Sequence, residues 1–489
     1  MRKGIDPMIT INQLLESVES TLSAAREYAA HDASREEALA EANHQVTLAR
    51  QTIADLSAKL RAAHGTLPTP TLPTLTIDHP TRMAGLPIGV HAMNTPGVSH
   101  QSEIRWDFGD PGGRFNTLPG FNAAHVYEHP GEYTIELSID GVKTRRRVTI
   151  LPAVPNPIAR LEDAKSNCRN VLTVPKVELA STFWPKIQSA TIEGAPGGTT
   201  LLYTGREDNA GIVSLPRECD GLVLRGLTFD SAVDRGATRA VGVYQQKSSL
   251  AVIDCVGLRL ESLVKSEDPA ASGLFIQGCA APLVDGISGY FAWVGCSDVV
   301  IVGNNVANVT REHVVRMGYY TRVLVAQNDF TNLDRRGGDK EDLAKGCIVA
   351  QRGSYVWIRG NRCHFGGIGV GPLGGPDGLS DRAGVTRFAV VEHNTLDGGK
   401  AIEIKNGTEH ARIENNTVDR GDADLSAIEV EGIDLAYPDR RSRDLTILDN
   451  RQILSGGPDA TSPVVRIGKG VLDVHEEGNI AMASKGKTR

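Results

Sequence analysis

The stretch Asp298-Val-Val-Ile-Val-Gly-Asn-Asn-Val306 holds one copy of a frame, apolar-x-x-Asn-x-apolar, that recurs along the second half of the chain. The frame returns as Val325-x-x-Asn328-x-Phe330, Ile358-x-x-Asn361-x-Cys363, Val391-x-x-Asn394-x-Leu396 and Ile413-x-x-Asn416-x-Val418, with Ile447-x-x-Asn450 last. Earlier copies place Leu227, Cys255 and Cys279 at the Asn position, so nine positions are separated by steps of 28, 24, 25, 24, 33, 33, 22 and 34 residues. A period in the low twenties, lengthened where loops are inserted, marks a solenoid whose repeats cannot bury a core alone. Within each period the apolar runs are short and β-branched, as in Ser354-Tyr-Val-Trp-Ile-Arg359 and Arg387-Phe-Ala-Val-Val-Glu392, and Gly, Asn and Asp interrupt them. These are strands, and nothing between them has helical periodicity. A parallel β-helix fits better than a leucine-rich repeat. The Asn is expected to serve the turn, tolerating left-handed backbone and bonding its copies one coil away.

Working outward, the rest of the chain divides into three segments. Residues 9 to about 63 read as helix: Leu39, Ala42, Val46, Ala49, Ile53, Leu56 and Leu60 form a coiled-coil seam, and Ile11, Leu15, Val18, Leu22, Ala25 and Ala29 a second one out of phase. Ser34-x-x-Glu37 is a capping box between them. The segment is therefore a helical hairpin or one long coiled coil with a stutter, and in either form a stalk that allows homo-oligomerisation. Residues 64–75 are a Pro/Thr linker, stiff and extended. From 76 to 152 the pattern is that of a small β-sandwich. The solenoid occupies 157–482, which makes the chain mainly β.

Bulk composition narrows the function classes. Fifty-two basic against 59 acidic residues give a net charge of −7, which argues against a nucleic-acid binder. No stretch approaches a membrane span. The basic start Met1-Arg-Lys lacks an apolar region behind it, so no signal peptide is expected within this chain. Seven cysteines without a C-x-x-C pair suggest neither a zinc site nor a disulfide framework.

Two motifs carry a resemblance. Trp106-Asp-Phe-Gly-Asp110 and His125-Val-Tyr-Glu-His-Pro-Gly-Glu-Tyr133 resemble the signature of the PKD domain, an immunoglobulin-like module. The resemblance implies a spacer or ligand-binding domain of extracellular proteins; Asp107 and Asp110 are expected to bond turns rather than metal. The repeats of 157–482 resemble the right-handed parallel β-helix of the pectin-lyase-like superfamily. Family motifs are absent, and the superfamily holds lyases, hydrolases, epimerases, tailspikes and adhesins, so the fold alone assigns no activity.

A second strand recurs about ten residues before the Asn strand. Its copies read Val-Val-Arg316-Met, Ile-Val-Ala-Gln351, Ala-Ile-Glu403-Ile-Lys405, Ala-Ile-Glu429-Val-Glu431 and Val-Val-Arg466-Ile-Gly468. Ile and Val point inward and the charged residues outward, with coils about 4.8 Å apart. Glu403 then stacks on Glu429 and Arg466, and Lys405 on Glu431. Such a column is either a salt-bridge ladder, a Ca²⁺ site on Glu403 and Glu429, or an acid/base pair. Elimination from a uronate needs a group to take the C5 proton and a cation to steady the carboxylate. The catalytic candidates are accordingly Glu403, Lys405, Glu429 and Arg316.

The long steps around Asn361 carry insertions, Asp334–Asp342 and Gly366–Asp381, and loops hung from a rigid coil are where solenoids keep ligand contacts. His313, Gln351, Arg335, Arg336, His364, Tyr437 and Arg466 are the candidate substrate-binding residues. The expected function is carbohydrate binding or processing at the cell surface or outside it, as a lyase or glycosidase on an acidic polysaccharide. The alternative is a structural or adhesive fibre of tailspike type.

Overall fold

The computed structural model describes residues 72–205, 211–216, 219–232, 240–246, 249–284, 289–309, 312–332, 345–372, 385–398, 400–420, 425–432, 441–454 and 463–483. The helical segment expected at 9–63, the start of the linker, and the loop residues Arg335, Arg336 and Tyr437 lie outside them. Among the described residues no helix is long and apolar enough to cross a membrane, and all seven cysteines are free.

From Pro155 to Ala483 the chain winds as a parallel β-helix with three strands per coil. One coil shows the order: Ile402–Ile404 on the first face, Thr408–Glu414 on the second, then the Asn turn and Thr417–Asp419 on the third. Each strand pairs in parallel with its copies in the coils before and after. On the first face the inward column Val264, Ala292, Val315, Ile348, Ile368, Ile402 and Ile428 is fully buried. The core ends where its pattern ends. In the last coil Glu476 occupies the register position of the buried Ile447 and is exposed, an inward charge that discourages further stacking.

The asparagines form a buried ladder. Asn304 Nδ2 donates to Asn328 Oδ1 at 2.9 Å, and the pattern repeats through Asn361, Asn394, Asn416 and Asn450 at 2.8–3.0 Å. It continues to Asn479, a copy beyond those read from sequence. The conformational role differs from the expectation. Left-handed backbone belongs to the residue before the Asn: Gly303, Gln327, Gly360, His393, Asn415, Asp449 and Gly478 all have φ between 52° and 68°. The Asn keeps ordinary backbone because its amide must point inward to bridge coils.

The second face is covered. Its outward column, Val223, Ala251, Phe275, Val300, Leu324, Trp357 and Val390, runs apolar over seven coils and is buried. Residues 72–152 fold as a β-sandwich of three strands on five, and these columns share one core with it. Phe121 meets Tyr355 and Trp357 edge-on, with ring centroids 5.2 and 5.3 Å away. Around the rim Arg114 pairs with Asp254 at 2.7 Å, and Arg225 grips both oxygens of Glu128. The sandwich is a docked unit rather than a spacer strung ahead of the solenoid. Within it Trp106 is buried and donates to the Gly120 carbonyl at 2.8 Å, while Asp107 accepts from the Gly109 amide at 2.9 Å. Asp110 holds His125 at 3.0 Å, so both aspartates bond turns and neighbours.

Candidate functional site

The first face of the solenoid carries an outward column that mixes charged, aromatic and apolar residues, several of which solvent reaches. Register gives that column as Tyr244, Lys265, Trp293, Arg316, Val349, Gly369, Glu403, Glu429 and Arg466, one residue per coil. Glu403 does stack on Glu429 and Arg466, as the strand copies imply. Two details are corrected. Gln351 lies one column over, in line with Lys405, so Arg316 is followed by Val349. And Ile368–Val370, read from sequence as part of an inserted loop, is a strand that adds a rung. Arg316 and Glu403 are thus three coil steps apart, about 14 Å at the usual strand spacing.

The lower half of the column is a closed set of ion pairs. Lys405 Nζ reaches Glu403 Oε2 and Glu431 Oε1, each at 2.7 Å. Glu429 is held by Arg466 at 2.7 Å and by Arg420 at 3.2 Å. Burial works against the charged Lys405, but the carboxylates of Glu403 and Glu431 outweigh it and raise its pKa. The like-charged glutamates therefore each have their own cation. This is the arrangement of a salt-bridge ladder. Arg466 is mostly exposed.

The upper half is different. Arg316 Nη1 donates to the Tyr290 hydroxyl at 2.8 Å, and its guanidinium lies 5.2 Å from the Trp293 ring centroid and 5.8 Å from that of Tyr290. Its Nε is buried with no hydrogen-bond partner, and among the described residues it pairs with no carboxylate. Tyr290 and Trp293 pack edge to face at 5.0 Å. Lys265 sits 5.7 Å from the Trp293 centroid and is neutralised by Glu261 at 2.6 Å. Lys345 reaches Glu312 at 3.5 Å, and Glu312 also bonds the Tyr290 hydroxyl. Burial pushes the Tyr290 pKa up to about 12, against the pull of Arg316.

His313 joins this group. Its Nδ1 lies 3.1 Å from the Gly346 carbonyl, to which only an N–H can donate, so the lone pair resides on Nε2. Burial, then the cations of Lys345 and Arg316, lower its pKa to about 3, with Lys405 adding to the effect. His313 is neutral under ordinary conditions. Gln351 is buried, its side-chain nitrogen without a partner, in a column whose neighbouring residue is Gly371. His364 is elsewhere: it lies on the third face, between Asp397 at 2.8 Å and Asp329 at 3.1 Å.

The sequence pointed to Arg316 and His313 but missed Lys265, Tyr290 and Trp293. The signal was present. Leu-Val-Lys265-Ser and Ala-Trp293-Val are earlier copies of the strand that carries Arg316. What the assembled group offers is an aromatic surface, a cation that has no counter-charge among the described residues and a neutral imidazole, side by side.

No protein-family model and no curated protein matches the chain. Among solved structures it is similar to a family 28 exopolygalacturonase from Yersinia enterocolitica, at 10% identity and a TM-score of 0.36, over 86% of this chain and all of that one. Strand pairing from coil to coil defines the parallel β-helix by itself.

Proposed function

We propose that the chain binds an acidic polysaccharide along the first face of its β-helix. In this reading Arg316 takes a sugar carboxylate and Trp293 stacks against a neighbouring ring. The observation that carries it is the pairing state of Arg316, flanked by two aromatic rings and, among the described residues, without a carboxylate, whereas Lys265, Lys405 and Arg466 of the same face each have one. Planar guanidinium suits carboxylate recognition in two-point contact. The polysaccharide reading also carries the location, at a cell surface or outside it, and the PKD-like assignment of the sandwich made from its two motifs.

Within this reading His313 takes a binding role. A base with a pKa near 3 is mostly unprotonated at neutral pH but takes up a proton poorly, far from the match that efficient general bases show. His313 is better suited to accept a hydrogen bond than to remove a C5 proton.

The test is retention on immobilised polygalacturonate and alginate against a neutral glucan, with unsaturated uronate absorbance and new reducing ends read on the same samples. Selective retention that Arg316→Gln abolishes, without product, supports the binding reading. Product formation replaces it with a lyase or a hydrolase, according to which signal rises. Equal behaviour of wild type and variant on every glycan refutes it.

A further inference from the structure

Where the sandwich and the solenoid meet at their far end, a different set of side chains converges. From the coil of Asp298 onward the second-face strands begin with a bulge, one residue with left-handed backbone that the pairing skips. Asp298, Arg322, Tyr355, Phe388, His410 and Asp444 are such residues, with φ from 54° to 65°. Their side chains stack outward from coil to coil. Arg322 pairs with Asp298 at 2.6 Å, Tyr355 stacks on Phe388 at 4.8 Å and Phe388 on His410 at 5.0 Å. His410 Nδ1 then contacts Asp444 Oδ2 at 2.6 Å. The sandwich closes this end of the column with His100, which is almost wholly buried and whose Nε2 lies 3.9 Å from the same oxygen.

We infer that His100, His410 and Asp444 form a divalent transition-metal site that clasps the sandwich to the solenoid. One ligand atom from each residue lies within 4.8 Å of the other two. A tetrahedral zinc ion with ligands at 2.0–2.2 Å needs them about 3.3 Å apart, so small side-chain rotations complete the set. Two imidazoles and one carboxylate select zinc and its neighbours over calcium or magnesium, which prefer oxygen. Gln101 Nε2 lies 2.7 Å from His100 Nε2 and donates to Thr446 Oγ1 at 2.6 Å, so it turns away from the imidazole lone pair on binding and water supplies the fourth ligand. Arg412 is the opposing cation nearby, and its charge is taken up by Glu392 at 3.4 Å and Glu414 at 3.7 Å.

The metal-free state has an internal partner for each ligand. His410 donates its Nδ1 proton to Asp444, which keeps the carboxylate in place. On binding, that proton moves to Nε2 through solvent, the Nδ1 lone pair turns to the ion, and no net charge is lost from the imidazole. The half-exposed Asp444 provides the entry path. Because the ligands come from both units, bound metal stabilises the docked arrangement by mass action.

The test is calorimetric titration of chelator-treated full chain with zinc chloride, on wild type, Asp444→Asn, His410→Ala and, as a control, His364→Ala. Expected is one site per chain with micromolar affinity or better, weakened at least tenfold in Asp444→Asn and His410→Ala and unchanged in the control. The thermal midpoint of wild type should rise with zinc and that of Asp444→Asn should not. Asp444 lies at the surface, so its variant keeps the fold, and circular dichroism checks this. No binding by wild type overturns the inference. So does binding that survives Asp444→Asn and disappears in His364→Ala, which would place the ion between Asp329 and Asp397.

Discussion

The strand Val315–Ala326 crosses two faces of the solenoid, and its halves follow different rules. In the first half Arg316 points outward between buried Val315 and Met317, and solvent reaches it. In the second half Val323, Leu324, Val325 and Ala326 are all buried, because the core lies on one side and the sandwich on the other. The difference is general to the two faces. A strand with one solvated side alternates, and a strand buried on both sides reads as an unbroken apolar run. The same backbone ladder thus provides a docking surface and, one corner away, a surface free to meet a ligand.

The largest expected effect comes from breaking the covered face. Trp357→Ala removes a buried indole that packs on Phe121 and donates to Glu392 at 2.8 Å; denaturant unfolding should show a loss of about 3–5 kcal/mol. Trp293→Ala, on the open face, should leave unfolding within about 1 kcal/mol of wild type, since surface changes cost little. Equal costs for the two tryptophans would erase the distinction between the faces.

Next is the ladder that both faces share. Asn361→Ala leaves the Asn328 amide without its acceptor and should cost about 2–3 kcal/mol in the same assay, the range for an orphaned buried polar group.

Acid sharpens the contrast further. His313 is held neutral in the folded chain with its pKa lowered to about 3, whereas it titrates near 6.5 when unfolded. The unfolded state binds more protons in that window, so this group's contribution is fully present above about pH 6.5 and is lost as pH falls toward 3. His313→Gln should make that part of the stability–pH curve less steep than in wild type, where buried His100 and His125 add to the decline.

The smallest effect is expected at the ion-pair ladder. Glu403→Gln breaks the contact with Lys405, an accessible pair, and should change stability by no more than about 1 kcal/mol. It should leave glycan retention intact, unlike Arg316→Gln.

Much of this architecture was legible in the chain and some was hidden for physical reasons. The repeat, the strands and the stacking of Glu403 on Glu429 follow from period and alternation alone. The run Val299–Val302 already announced burial on both sides, yet a solenoid strand with an apolar outer face has no meaning until its cover is known. Ile368–Val370 was concealed by flanking glycines, which match loop composition although Gly369 is simply a rung without a side chain. The left-handed turn residue varies among Gly, Gln, His, Asn and Asp, so no consensus marks it. The convergence of Tyr290, Trp293 and Arg316 depended on register carried back one period. The meeting of His100 with His410 depended on docking, which no spacing within the repeat encodes.

The most direct test of the open-face account is the affinity of a uronate tetramer for wild type and for Trp293→Ala, measured by titration calorimetry at matched folded fraction. The account predicts binding by wild type, a loss of tenfold or more in the variant, and no binding of a neutral tetramer. Undiminished affinity in Trp293→Ala, or equal affinity for the neutral sugar, would contradict it.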